Sequence, residues 1–444
     1  MKFSRFSLIF FFAISLSLGL TGFSLAQDKT TLTVSVEAWM VDKYNMPELE
    51  KRFEANHPDV NVVVLTHEGN GVAYPGIFLE WSQTGKSTAD LYFGGLVSQI
   101  APAIIDDQLI PLDGILTDEL APDKWIPGFL SPSYVEGAEG SHYPTLPGLG
   151  ETINFQFNTN LFIQAGFVDA DAKPILPTTY EQIHDYACAL AKLETNGQKI
   201  IGFEGEYNNN FAPDTWMAAV VAAEGTYLTK DGKINWDSEA GKKWLAFQKQ
   251  IVDKGCGGTT VFTDNNGARN ALKAGQAAII NASNSRSSEG TNALCKEQGT
   301  VPCPSGDIIQ MFSYPGDGGT IAFSHQFYIP RVAAHADLAL AFAREAILSK
   351  YAQTWSATQF GKMPTLWANY DALPKDVNVD FIRTELEGPT MGQWQFRDGQ
   401  FLRNSYVEQL QLYLTGDQTL DETIAALKSI QDGADLTVPG AKKP

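Results

Sequence analysis

The sequence predicts an α/β protein of two lobes, and three observations predict it. The first hundred residues alternate apolar strands with helical patterns. A stretch rich in proline and glycine, Tyr143 to Asn158, then opens onto a new strand far from either terminus. And 444 residues are too many for one ordinary core, so two domains are the prior.

The N-terminal elements come first. Leu32 to Val36 alternates within TLTVSVEAWM, the period of a strand. Asn45 is placed to cap a helix over MPELEKRFEANHP, with Leu49 and Phe53 on one face and Pro58 ending it. Val60 to Leu65 is a second strand, apolar but for Asn61, and a covered run after a helical connection indicates a parallel β-α-β unit with a right-handed crossover. His67 to Tyr74 is a glycine-rich loop and Ile77 to Trp81 begins another helix. Ala89 to Gly95 gives a third strand ending in two glycines, and Ala101 to Leu109 is helical up to Pro111. In such an open α/β lobe the ligand crevice lies beyond the carboxyl ends of the strands. Those ends carry Glu37, Trp39, His67, Glu68, Gly94 and Gly95.

The stretch YPTLPGLGETINFQFN reads as a crossing between lobes. Pro144 and Pro147 stiffen the backbone, Gly148 and Gly150 remove side chains at a bend, and Ile153, Phe155 and Phe157 then alternate with Asn154, Gln156 and Asn158. That alternation predicts a strand with one covered face. Glu151 falls where the lobes would meet; an ordinary loop-to-strand junction inside one large domain fits these residues equally. Further on, Thr178-Thr179 precedes a helix with Ile183, Tyr186 and Leu190 on its face, and KIIGFEG is a strand. Helices follow Asp214 and Asp237. Ala277 to Ile280 is a strand that stops at Asn281 to Arg286, Ile308 to Phe312 is another, and Ile321 to Ile329 alternates again. The remainder, from Asp337 through Leu427, is mostly helical, broken by GKMPT and by residues 388–399.

Composition bounds the function. The formal net charge is −19 from 32 basic and 51 acidic residues, and removing Lys2 and Arg5 takes it to −21. Nucleic acid and anionic membrane surfaces would be repelled over the whole approach. Lys2 and Arg5 precede the apolar run LIFFFAISLSLGL, and Ser24-Leu25-Ala26 offers small residues before a cut at Gln27. This is the pattern of a secretory signal peptide over residues 1–26. The run is short and broken by Ser15, Ser17 and Gly19, against the ~20 apolar residues that a span needs. Four cysteines in an exported chain are compatible with disulfides. Cys295 and Cys303 bracket a short loop and are expected to be bridged; Cys188 and Cys256 form either a second bridge or a buried free thiol with a loop cysteine. No cysteine or histidine pair has zinc-ligand spacing, so no metal and no cofactor is expected.

The order of these signals resembles that of the family 1 extracellular solute-binding proteins of ABC importers, the maltose-binding-protein group. The stretches that carry the resemblance are MPELEKRFEANHPDVNVVV, STADLYFGGLVSQIAPAIIDDQLIPLD, YPTLPGLGETINFQFNTNLFIQAGF with LPTTYEQIHDYACAL, ALKAGQAAIINAS, and FYIPRVAAHADLALAFAREAIL with GKMPT. Together they span nearly all of the chain after residue 26. The resemblance implies a two-lobed periplasmic-binding-protein fold, type II-like, whose hinge the chain crosses more than once. One lobe would combine residues 27–146 with 283–324, the other 147–282 with 325–444. It also implies a monomeric periplasmic or extracytoplasmic protein that captures a solute between the lobes and passes it to the transmembrane subunits of a permease.

Candidate binding residues follow from chemistry and position. Trp39 would offer an apolar face to a ligand, a core tryptophan being the alternative, and Glu37 would accept from hydroxyls. Gly94 and Gly95 would leave backbone N–H groups open. Glu151 falls near the family's acidic hinge position. Trp216, in Asp-Thr-Trp, matches an aromatic patch of sugar-binding members, and Trp394 is a candidate second shelf. Asn281, Ser283 and Arg286 stand where maltose-type members carry aromatics, and Arg286 would grip a carboxylate or phosphate in a fork, or else belong to a polar surface turn. His325, with Gly318 and Gly319, lies at the third crossing. A carbohydrate is the first expectation for the ligand, a small anion such as glycerol phosphate or a sugar phosphate the second. A secreted glycoside hydrolase is the rival class. The chain has no G-x-S-x-G elbow and no H-E-x-x-H pair, whereas a pair of carboxylates is not recognisable by sequence.

Overall fold

One long strand organises the molecule. In the computed structural model, which describes residues 29–440 apart from 70, 138–139, 196, 209–210, 259–262 and 298–307, the main sheet has ten strands. We label the nine that bear on the site β1 (Thr30–Glu37), β2 (Val60–His67), β3 (Leu91–Phe93), β4 (Leu146–Asn158), β5 (Ile201–Glu204), β6 (Ala277–Ser283), β7 (Ile309–Phe312), β8 (Thr320–Tyr328) and β9 (Met363–Pro364). The spatial order is β2-β1-β3-β8-β4-β6-β5, with β7 and β9 also paired to β4. The sheet is thus continuous across the molecule, and β4 is the strand on which its two halves meet.

The first half follows the predicted β-α-β logic. β1 pairs in parallel with β2, Glu37 opposite His67, and with β3 on its other side. The helix between β1 and β2, Met46–Asn56, buries Met46, Leu49 and Phe53. Asn45 precedes it in the left-handed region without capping it; its side-chain amide donates instead to the Tyr351 hydroxyl at 2.7 Å. β2 is an edge strand, so its face is half open and Val63 is exposed, where the apolar run suggested cover on both sides. The helix after β3 starts at Val97 rather than Ala101.

β4 departs from the expected half-covered strand. All thirteen of its residues are buried, polar ones included. Burial of an amide is tolerable only with partners: Gln156 Nε2 donates to the Ser283 carbonyl at 2.7 Å, and Asn158 Oδ1 accepts from the backbone of Asn160 and Leu161, capping the next helix. The first residues of β4 pair with β8 and β9, the last with β6 and β7.

Two large apolar clusters flank this strand. One gathers Leu32, Val34 and Val36 with Leu146, Leu149, Phe327, Phe342, Ile347 and Leu366. The other gathers Ile153, Phe155, Phe157, Trp216, Trp244, Ile279, Phe312, Phe323 and Leu402. The later segments divide between these clusters. Residues of 283–324 pack beside β4's second half, including Leu294 and Ile309, which join Leu272 and Ile280. Residues 327–366 return to the first cluster, because β8 continues past β4 to pair with β3.

Cys188 and Cys256 are disulfide-bonded, which decides between the two readings of that pair. Cys295 is also disulfide-bonded; its expected partner Cys303 lies outside the described residues, as does the signal peptide expected over residues 1–26. Among the described residues no helix is long and apolar enough to cross a membrane.

Candidate ligand cleft

A cavity of about 780 Å³ opens beside the middle of β4. Its walls draw on segments that precede and follow that strand: Glu37, Trp39, Lys43 and Gln99 on one side, Phe211, Arg269, Arg286 and the helix Gly399–Thr415 on the other. His325 of β8 and Lys362, the residue before β9, form part of its floor.

The floor is built on Glu151. This carboxylate is fully buried, accepts from the Ser285 hydroxyl at 2.5 Å, pairs with Lys362, and has His325 Nε2 at 3.4 Å. Burial alone would raise its pKa, but Lys362, His325 and Arg286 together hold it well below the usual carboxylate range. Burial pushes Lys362 down to about 8, with Glu151 opposing the shift and Lys43 and Arg286 adding to it. His325 is likewise lowered by its burial. Four chain segments therefore lock on one another through a single charged cluster at the crossing.

At the strand ends, Glu37 is the hub. It accepts from Trp39 Nε1 at 2.5 Å, from the Tyr74 hydroxyl at 2.5 Å and from the Gly95 backbone N–H at 2.8 Å. The two glycines serve this packing. Both have positive φ, +141° and +77°, and a Cβ would come within 2.7 Å of Glu37 at Gly94 and of Tyr74 at Gly95. The Gly95 N–H that was expected to face a ligand is thus given to Glu37. Trp39 is half-buried against the cavity, with the His325 ring 4.9 Å away edge-on and the ammonium groups of Lys43 and Lys362 at 5.9 and 5.0 Å from its own ring, within cation–π range.

Of the remaining sequence candidates, Arg286 lines the cavity from the first turn of the helix Ser285–Glu297. The polar turn expected at 281–286 does not form: β6 runs on to Ser283, so Asn281 and Ser283 are buried strand residues, Ser283 Oγ lying 3.2 Å from Ser285 Oγ. His67 sits behind the wall, its Nδ1 2.9 Å from the Ser35 hydroxyl, and Glu68 is exposed. Neither expected aromatic shelf lies on the cavity. Trp216 is fully buried against Trp236 and Tyr406, and Trp394 is buried with its N–H donated to the Gly399 carbonyl. Asp214 explains the first case: it is itself buried, paired with Arg403 and bonded to Gln393, so that Asp-Thr-Trp anchors a helix inside the second cluster.

Sequence reasoning missed Lys43, Arg269, Lys362 and the amide side chains Gln99, Asn208, Asn265, Asn266, Gln400, Asn404 and Gln411. Only Lys43 left a trace, four residues after Trp39 and hence on the same face of a helical turn. Among the described residues one cluster has metal-ligand geometry, His184 with Cys188 and Cys256, but its two sulfurs are bonded to each other and offer no thiolate.

The model of the bacterial extracellular solute-binding proteins matches residues 38–353 of the sequence. The chain belongs to that family. Solute-binding proteins of known structure superpose on it over nearly their whole length. The GacH receptor of Streptomyces glaucescens, solved unliganded and with acarbose, has 19% identity and a TM-score of 0.73, covering 92% of this chain and 100% of its own. Maltose-bound MalE3 of T. maritima has 15% identity and a TM-score of 0.72, covering 91% and 99%. A solute-binding protein of Thermotoga lettingae bound with α-D-tagatose has 18% identity and a TM-score of 0.71, again covering 91% and 99%. These likenesses establish the fold of our solute-binding protein as the two-lobed one. No curated protein sequence matches the chain.

Proposed function

We propose that this solute-binding protein is the extracytoplasmic capture subunit of an ABC importer, that it takes a carbohydrate into the cavity, and that it delivers the ligand unchanged to a membrane permease. The observation that carries the reading is the lining. Trp39 and Phe211 offer flat apolar faces, and seven Asn and Gln side chains surround them. A sugar has the matching surface: C–H faces, and hydroxyls that both donate and accept as amides do. Selectivity follows, because a buried amide left unpaired by the wrong sugar costs about 1–3 kcal/mol. The acarbose, maltose and tagatose bound by its structural neighbours support the same ligand class.

On this reading one lobe is built on the cluster of residues 32–149 and 327–366 and the other on that of 153–323 and 394–427, with β4, β8 and the segment before β9 as the waist. Ligand would draw the lobes together by hinge closure. Residues 1–26 would be removed on export, and the protein would act as a monomer without catalysis. Thermal unfolding across a panel of mono- and oligosaccharides tests the proposal. A sugar at 100 times its dissociation constant should stabilise the fold by ~2.7 kcal/mol, and small-angle scattering should contract with that sugar alone. Sustained product from an aryl glycoside, abolished by replacing one carboxylate, would favour the hydrolase instead.

A further inference from the structure

We infer that the sugar bound here carries one anionic group, a carboxylate or a phosphate ester, and that Lys43, Arg269, Arg286 and Lys362 receive it. The inference rests on the sugar-binding reading and names the ligand class within it. All four cations line the cavity. Their counter-charges stand behind them: Glu289 takes Lys43, both Arg269 Nε at 2.6 Å and Nη2 at 2.7 Å, and Arg286 at 3.3 Å, while Glu151 takes Lys362. Neither of these carboxylates lines the cavity. An entering group therefore meets cations first. Glu37 and Glu408 do face it, and Glu37 already accepts from three donors. On the lining itself four positive groups stand against Glu37 and Glu408, with Glu151 and Glu289 behind the cations. Glu206, the other buried acid acting on Arg286 and Arg269, is pushed up to about 7 by burial.

Two further features point the same way. Arg286 Nε is buried without a partner, so the guanidinium keeps one N–H to give. The cations also act unfavourably on one another, Lys43 and Arg286 both disfavouring charge on Lys362, and an anion between them would relieve this. In a chain with an excess of 19 negative charges, four cations gathered on one cavity run against composition. The amides and aromatics beside them would take the hydroxyls and C–H faces of the same molecule.

The test uses matched ligands on the full chain by calorimetry: glucose, glucuronate and glucose 6-phosphate; galactose and galacturonate; and, without sugar, inorganic phosphate and acetate. An acidic sugar should bind at least about tenfold tighter than its neutral counterpart, the size of one charge-assisted hydrogen bond. The uronate and phosphate arms say which anion it is. Arg269→Gln, at the more exposed edge of the cluster, should remove most of that preference, read as the ratio of acidic to neutral affinity in the same variant, with circular dichroism checking the fold; Arg286→Gln should lower the same ratio. Tighter binding of the neutral member, or a preference that survives both variants, overturns the anion while the sugar stands. Binding of phosphate or acetate as tight as of any acidic sugar overturns the sugar reading on which the inference rests.

Discussion

Replacing Glu151 by leucine should be among the most damaging single changes on the cavity floor, and restoring neutrality should undo most of the damage. Glu151→Leu removes the partner of Lys362, whose side chain is only 5% exposed, and takes the acceptor from Ser285. Breaking a buried ion pair from one side costs about 3–5 kcal/mol, because the remaining charge is neither hydrated nor paired. Lys362 has a partial escape. Its pKa, already about 8, drops further once Glu151 no longer supports the ammonium, so it sheds its proton. A depressed folded value means fewer protons in the folded state, and stability rises with pH across the window between folded and unfolded values. That window opens lower in the variant than in the wild type, so the variant's deficit should shrink as pH climbs from 7 towards 8. In Glu151→Leu/Lys362→Met both charges are gone, and what stays lost is the Ser285 bond, ~1 kcal/mol, with the weaker contacts of Glu151 to His325 and of Lys362 to the Trp39 ring. Urea unfolding of wild type, both singles and the double gives the coupling energy, which should reach at least ~2 kcal/mol. A coupling below ~0.5 kcal/mol, or a single variant within ~1 kcal/mol of wild type, would refute the view that this pair fastens the crossing segments.

The other predictions read the same structure elsewhere. Glu206 is raised to about 7 by burial, so the folded state holds its proton between pH 4.5 and 7 and loses up to about 3 kcal/mol of stability as pH rises through that window; Glu206→Gln should flatten that fall in urea titrations, and parallel curves would exclude it. Gly95→Ala places a methyl 2.7 Å from the Tyr74 ring at φ +77° and should cost about 2–4 kcal/mol by denaturant unfolding, with loss of the Glu37 contacts. Removing the Cys188–Cys256 bridge, which closes a sequence separation of 68, should destabilise by roughly 4 kcal/mol if chain entropy dominates, visible as a lower melting temperature for the double serine variant.

How much of this was legible beforehand depended on whether a residue's partners lay nearby in the chain. β1 and the helix after it were readable because burial there follows local periodicity, β2 as a strand though not in its burial, and Glu37 and Trp39 because a parallel strand's carboxyl end points at a crevice wherever the rest of the sheet goes. The limits of that logic show at Trp216. The sequence Asp-Thr-Trp looks like an exposed helix start, yet Asp214 meets Arg403, 189 residues on, and the tryptophan is drawn into the core with it. Arg286 was visible as a cation able to grip a carboxylate or phosphate, or else as part of a polar surface turn; its companions Lys43, Arg269 and Lys362 come from separate segments that β4 and β8 bring to one place. GKMPT illustrates the difference. Its proline and glycine announced a break between helices, but nothing local says that Gly361, at φ +69°, turns the chain so that Lys362 reaches Glu151, 211 positions earlier. A binding floor made at a chain crossing is written as isolated charges in apolar surroundings. Each of those charges is costly alone, and that cost is the one local sign that a distant partner must exist.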